Sequence, residues 1–460
     1  MTETVRIISP IDGSVFAERP VLDGAGIAAA VSRARAAQRD WRAVPVGERV
    51  AMVGRMVDAL LAMNDEIVPE LAWQMGRPVR FGAEKRGVEE RSRHMLAIAE
   101  ESLAPAMRPE KEGFVRYIAR EPLGVVLVIA PWNYPFLTAV NSVVPGLVAG
   151  NAVLLKHASQ TLLAGERFAE AARRAGLPEG IFQNLVLSHA DTEKLVSSGE
   201  IDHISFTGSV EGGRRIEKAA AGTFATLGLE LGGKDPAYVR ADANLDFAAE
   251  NLVDGSFFNS GQSCCGVERI YVHRDVYDGF VERFLDQAKG WTLGDPLDPA
   301  TIVGPMARGN FADHVRRQTE EAVRSGATRH LNWGDSRDVA GSPYLAPEVL
   351  TGVNHQMSVM REESFGPVVG IMKVADDAEA VALMNDSPYG LTVSIWTADL
   401  EAAGRIGAQV ETGTVFANRC DYLDPALVWT GVKDTGKGGA LSEIGYHNLT
   451  QPKSFHLRRA

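Results

Sequence analysis

The 460-residue chain has only three cysteines, Cys264, Cys265 and Cys420, and no CxxC pair. Three thiols cannot build a disulfide framework, and zinc sites made from paired cysteines are excluded, so no metal site is expected. Such sparing use of cysteine suits a reducing compartment, and a cytoplasmic location is expected. Long apolar runs are missing as well: LGVVLVIAPW (123–132) falls far short of the ~20 residues that span a bilayer. The opening MTETVRIISPIDGSVF has no basic stretch leading into an apolar one, so no export signal is read. Positive charge is in deficit. Against 47 Lys and Arg stand 59 Asp and Glu, a formal net charge of −12, which argues against nucleic acid or an anionic membrane as partner. No GxGxxG follows an early strand, so the commonest dinucleotide fingerprint is absent. Internal repeats and low-complexity tracts are absent too.

What is present is ordinary globular material, 45% hydrophobic and 23% charged, which excludes disorder as the dominant state. Single cores stop growing at roughly 250–300 residues, so two or three domains are expected. The first hundred residues are mostly helical in pattern, as in IAAAVSRARAAQRDW and ERVAMVGRMVDALLAM. RYIAREP reads as a hairpin arm. From 124 to 230, apolar strands (GVVLVIAP, NAVLLKHAS, IDHISFTGS, FATLGLELGG) alternate with helical stretches, which predicts a parallel sheet covered on both faces. Such sheets bind ligands at the carboxyl ends of their strands. A second alternation follows residue 240, with PVVGIMKV, LTVSIWT and GTVFANR as strands, and the boundary falls near ELGGKDP (230–236).

Several short motifs carry potential chemistry. ISFTGSVEGG (204–213) is a strand, a turn and a helix start where Gly208 lets the backbone approach a phosphate and Ser209 with the helix N-terminus supplies donors; alone, it reads more readily as an ordinary strand–turn–helix. Asn133, in PWNYP after a strand, is either a fixed side-chain donor or a common turn residue. Glu230 in LELGGK is a general-base candidate, because burial raises a carboxyl pKa, or a salt-bridged glutamate. Cys264 and Cys265, in FFNSGQSCC, are nucleophile candidates or small buried hydrophobes; no histidine stands beside them, against a Cys–His hydrolase.

Together, in chain order, PWN, LLKHAS, FTGSVEGG, LELGGK, FFNSGQSCC and EESFGPV resemble the NAD(P)-dependent aldehyde dehydrogenase superfamily, over nearly the whole chain. The resemblance implies an α/β fold: a Rossmann-type cofactor domain (1–103 and 123–233), an α/β catalytic domain (234–433) and a small antiparallel bridging element (104–122 and 434–460). It implies a homodimer or homotetramer paired through that element. The thiol after G-Q-x is Cys264, which would attack an aldehyde to form a thiohemiacetal. Asn133 and the Cys264 backbone N–H would hold the oxyanion, such donors being worth roughly 2.7–4 kcal/mol each. Glu230 would activate the water that hydrolyses the thioester.

For the cofactor, the resemblance implies Lys156 at the ribose hydroxyls, Ser209 at the pyrophosphate and Glu363 at the nicotinamide ribose. Gly208 and Gly213 would permit close approach, with Trp132 and Phe365 shaping the groove. Ser159 stands in KHAS where many NAD-preferring members have glutamate, so NADP is expected, alone or with NAD. Tyr134, Thr138, Asn141, Ser263, Cys265, Asp421 and Trp429 would line the substrate passage, Trp429 lying in VWTG where the family usually has PFGG. Asp421 and Asp424 would suit a cationic amino-aldehyde and Arg419 a semialdehyde carboxylate; each also reads as a solvent-facing charge. The rival readings are a coenzyme A-acylating relative, which Glu230 disfavours, and a catalytically silent scaffold, which retention of all three catalytic residues disfavours.

Overall fold

The structure is a computed structural model that describes residues 3–331 and 333–459. A hairpin of β1 (Thr4–Ile8) and β2 (Val15–Pro20), unforeseen in the helical pattern, precedes α1 (Gly24–Trp41), α2 (Val46–Ala62), α3 (Asn64–Met75) and α4 (Lys85–Leu103). Next come β3 (Ala106–Met107), β4 (Phe114–Pro122), β5 (Val125–Ala130), α5 (Pro135–Val148), β6 (Ala152–His157), α6 (Leu162–Arg174) and β7 (Phe182–Asn184). The alternation continues through α7 (His189–Ser197), β8 (His203–Thr207), α8 (Val210–Ala220) and β9 (Thr226–Glu230). The second alternation holds β10 (Asp235–Val239), α9 (Leu245–Phe257), β11 (Val267–His273), α10 (Tyr277–Ala288), α11 (Gly309–Arg324), β12 (Thr328–Arg329) and β13 (Glu348–Thr351). The chain then runs through β14 (Val368–Val374), α12 (Asp377–Asn385), β15 (Thr392–Trp396), α13 (Leu400–Gly407) and β16 (Thr414–Ala417). It closes with β17 (Gly436–Lys437), α14 (Ser442–Asn448) and β18 (Thr450–Arg458).

Two parallel sheets dominate. The first has the order β17-β9-β8-β5-β6-β7 and the second β12-β13-β14-β11-β10-β15-β16, with only β17 and β12 antiparallel. β5 explains the first: all six residues of VVLVIA are buried, as a central parallel strand requires. Pro135 starts α5 at a position that needs no N–H donor. The chain leaves the first sheet at Glu230 and joins the second at Asp235, so 231–234 is the crossing.

An antiparallel sheet, β18-β4-β3, stands apart from both. β18 pairs with β4 along its whole length, and among the described residues its other edge has no partner strand. The segment 434–460 is divided: β17 pairs with β9 in the first sheet, and only the last strand joins β4. Among the described residues no helix is long and apolar enough to cross a membrane.

Candidate active site

Segments that follow β5, β6, β8 and β9 line one cavity of about 650 Å³, as expected at the carboxyl ends of parallel strands. Its opposite wall comes from the second alternation, through Cys264, Arg308, Phe311 and Glu363–Phe365. Eleven of the residues singled out in the sequence border it: Trp132, Asn133, Thr138, Lys156, Ser159, Gly208, Ser209, Glu230, Cys264, Glu363 and Phe365.

The two adjacent cysteines part company. Cys264 faces the cavity, whereas Cys265 is 4% exposed and donates its thiol to Asp421 Oδ1 at 2.9 Å. The hydrogen bond with Cys264, then burial, push the Cys265 thiol well above its usual range. The turn that aims Cys264 is strained. Asn259 and Ser260 hold left-handed backbone at φ 53° and 56°, which for non-glycine residues costs of order 1–3 kcal/mol each. Gly261 follows at φ 69°, and a Cβ there would stand 2.3 Å from the Gly366 carbonyl oxygen, so only glycine fits.

Asn133 is anchored from below. Arg77 Nη2 donates to its carbonyl at 2.6 Å, while Arg77 Nη1 bonds Glu84 at 2.5 Å in a pair with both side chains 3% exposed. Glu84 in turn accepts from the Phe136 and Leu137 N–H groups at the start of α5. The Asn133 amide donates one hydrogen to Gln262 O at 3.1 Å, leaving its second N–H for another acceptor.

Glu230 ends β9, half-buried, and accepts from Thr207 Oγ1 at 3.3 Å. Desolvation raises its carboxyl to about 7, against the pull of the Arg91 charge and the Thr207 hydroxyl. Glu363 is raised further, to about 8, by desolvation and the Glu268 charge, and accepts from Gly233 N at 2.9 Å. Its segment is fixed by a buried pair: Lys234 Nζ meets Glu268 Oε2 at 2.5 Å, and Glu268 accepts from the Ser364 and Phe365 N–H groups.

A dinucleotide fits the remaining wall. Ser209 caps α8 by accepting from Gly212 N, so the helix start offers free N–H groups to an anion. Lys156 is 5% exposed without an ion-pair partner among the described residues, and burial brings it down to about 8. Lys156, Arg215 and Arg308 border the cavity with Ser159 and lower the pKa of His189 after burial, Arg215 being paired with Glu193 at 2.6 Å. Gly213 does something else. It is buried under Leu231, where a Cβ would meet Cδ2 at 2.5 Å, so it serves helix–strand packing and does not reach the cavity.

The proposed substrate lining is corrected in part. Only Thr138 borders the main cavity. Asn141, one helical turn on, is buried and accepts from Arg91 Nη1 at 3.3 Å. Ser263 and Cys265 both donate to Asp421 Oδ1, and none of the three borders the main cavity. Half-buried Tyr134 lies under the Arg77 guanidinium at 4.8 Å. Trp429 is core, 5% exposed, its backbone paired with Ala440. Arg419 is exposed and stacked over Tyr422 at 3.4 Å, and exposed Asp424 caps its own turn at Ala426 N.

The residues missed from sequence are Arg77, Glu84, Arg91, Gln262 and the Lys234–Glu268 pair. A signal existed for Glu268, because a charge inside the strand pattern VERIYV is costly unless paired. Arg91 was hidden among the charges of KRGVEERSRH.

The sequence matches the model of the aldehyde dehydrogenase family over residues 1–455. It is 34% identical over 457 residues to an NADP(+) succinate-semialdehyde dehydrogenase of Mycolicibacterium paratuberculosis, covering 98% of this chain and 96% of the relative. A succinate semialdehyde dehydrogenase of Escherichia coli, named for NAD(P)+, is 33% identical over 96% of this chain and 95% of its own. The crystal structure of an indole-3-acetaldehyde dehydrogenase complexed with NAD+ superposes with a TM-score of 0.93 at 30% identity, covering 99% of this chain and 93% of that one. With a cavity that joins a thiol, an amide donor and a raised carboxyl, and a match along almost its whole length, the chain belongs to the aldehyde dehydrogenase family.

Proposed function

We propose that this aldehyde dehydrogenase oxidises an aldehyde that carries its own carboxylate, a semialdehyde, and accepts NADP as well as NAD. The observation that carries the substrate reading is Arg91. Its side chain is buried, 7% exposed, and Nη1 alone is engaged, by Leu137 O at 2.9 Å and Asn141 Oδ1. Nε and Nη2 meet no protein acceptor, and no carboxylate pairs with it among the described residues. Glu230, Glu84 and Asp421 act on it through space without hydrogen-bonding it, and buried guanidinium donors left without acceptors are costly, so a substrate carboxylate is its natural complement. Cys265, Glu230, Glu84 and Cys264 all act electrostatically on Arg91, which lies near the reacting groups. Named relatives that act on succinate semialdehyde support the same choice.

In this reading Cys264 adds to the aldehyde carbon, and the free Asn133 N–H and the Cys264 N–H hold the resulting oxyanion. The bound nicotinamide supplies the hydride acceptor. Lys156, Ser209 and Glu363 orient that cofactor against the thiol. Glu230, with a pKa near 7, takes a proton from the water that opens the thioester, which favours the free acid over transfer to coenzyme A.

Arg91→Met is expected to lower kcat/KM for succinate semialdehyde by about 10²-fold, the scale of truncating a buried charge pair. Turnover of an alkyl aldehyde of equal length, such as butanal, should change less than about threefold on the same order-of-magnitude reasoning. Equal losses on both aldehydes, or a faster reaction with an amino-aldehyde than with a semialdehyde in the unaltered enzyme, would remove the carboxylate assignment. For the cofactor, Ser159→Glu should lower kcat/KM for NADP by roughly ten- to hundredfold through like-charge repulsion, with NAD little affected. An unaltered enzyme that strongly prefers NAD would refute it.

A further inference from the structure

Glu230 borders a second cavity of about 200 Å³, which shares with the first only Phe206, Thr207 and Glu230. The wall of this second space is anomalous for its fold. A parallel sheet covered on both faces should be apolar on both, as β5 is. On β8, however, His203, Ser205 and Thr207 alternate with Ile204 and Phe206. The parallel register sets these three beside Thr226, Gly228 and Glu230 of β9. One face of the two strands therefore carries a polar stripe from the catalytic carboxylate to Thr226, which is exposed. Gly228, opposite Ser205, adds no side chain that would fill it.

The contacts along the stripe form a nearly continuous series. Thr207 Oγ1 donates to Glu230 Oε2 at 3.3 Å. His203, 4% exposed, stands with Nε2 3.1 Å from Ser205 Oγ and Nδ1 2.6 Å from Thr226 Oγ1. Ser205 and Thr207 lie two residues apart, about 7 Å along a strand, a gap that one water spans. At ~30 Å³ per water the cavity has room for several, and its polar walls suit them.

This bears on a step that any hydrolysis by Glu230 requires. The oxygen of water bonds to the thioester carbon, the C–S bond breaks with its electron pair going to sulfur, and one proton passes to Glu230. That proton has to leave before the carboxylate can act again, at a moment when product and cofactor occupy the front cavity.

We propose that the stripe is the proton's exit, running from Glu230 through Thr207, a bridging water and Ser205 to His203 and the Thr226 edge. The proposal rests on the reading of Glu230 as the base. His203 suits a relay because burial draws its pKa down to about 4, so the ring stays neutral, accepts at one nitrogen and donates from the other. The remaining ionisable groups on the cavity wall are Lys437, paired with Glu217 at 2.6 Å, and His447, itself lowered by burial. Neither is hydrogen-bonded to His203, Ser205, Thr207 or Glu230 among the described residues.

The test uses the full-length enzyme and follows NAD(P)H formation and acyl-enzyme decay separately in rapid-mixing experiments, with the acyl-enzyme identified by intact mass. In His203→Ala the first turnover of NAD(P)H should keep its rate, while acyl-enzyme decay slows about tenfold, the low end for loss of assisted proton transfer. Added imidazole, which fits the vacated volume, should restore decay. Ser205→Ala removes a single oxygen and should slow decay several-fold, so it carries the test should the histidine variant fold poorly. Unchanged decay in the folded variants, or slowing of both steps alike with no response to imidazole, would overturn the relay. An unaltered enzyme that forms no NAD(P)H from any aldehyde would instead remove the oxidoreductase reading beneath it.

Discussion

Cys264→Ser is expected to abolish aldehyde-dependent NAD(P)H formation, with kcat/KM falling at least about 10³-fold, as when the nucleophile of a covalent mechanism is removed. Cys265→Ser is expected to keep most of the activity, within about threefold, because a hydroxyl can donate to Asp421 as the thiol does. The contrast follows from placement. Cys264 borders the cavity, while Cys265 is in the apolar core with its thiol turned to Asp421 and held protonated by its hydrogen bonding and burial. A thiol that stays protonated is a poor nucleophile. Steady-state rates of the two variants on one aldehyde decide the matter, and the reverse pattern would reassign the nucleophile.

Glu230→Gln should divide the reaction differently. Loss of a general base costs typically 10²–10⁴-fold, and here the loss falls on acid release. A first turnover of NAD(P)H should persist, followed by a stalled acyl-enzyme visible by mass. In the unaltered enzyme the carboxylate form does the work, so acid release should rise with pH through about 7 and level off above it. The variant should lack that inflection.

Stability runs the opposite way. A folded pKa of about 7 against 4.5 unfolded means that the half-buried carboxyl favours folding when protonated. Its contribution is complete below about pH 4.5 and is lost as pH rises through 7. Glu230→Gln should therefore be the more stable form at pH 8, by at most on the order of 3 kcal/mol, with the advantage gone in mild acid. Thermal melts at the two pH values check it. A variant less stable at pH 8 would show that Glu230 makes stabilising contacts as an anion.

The motifs were legible because the chemistry here is local in sequence. Strand ends and turns deliver Asn133, Ser209, Glu230 and Cys264, and each sits next to glycines or prolines that mark the turn. The division of 434–460 was less legible. Two residues, Gly436 and Lys437, pair with β9, and a strand that short leaves no periodicity to read. The packing of Gly213 was hidden for a similar reason: its small size is needed against Leu231, a neighbour eighteen positions away that spacing alone does not reveal.

By itself, the sequence determined the alternating α/β layout and the order of the chemical groups along the chain. These follow from hydrophobic period and residue type, which act over a few neighbours. Only the tertiary structure decided which cysteine meets the cavity, that Arg91 lies buried with no carboxylate hydrogen-bonded to it among the described residues, and that β8 carries its polar face behind Glu230. Burial, register and the pKa shifts they cause depend on atoms brought together from distant segments, and no local pattern encodes that sum.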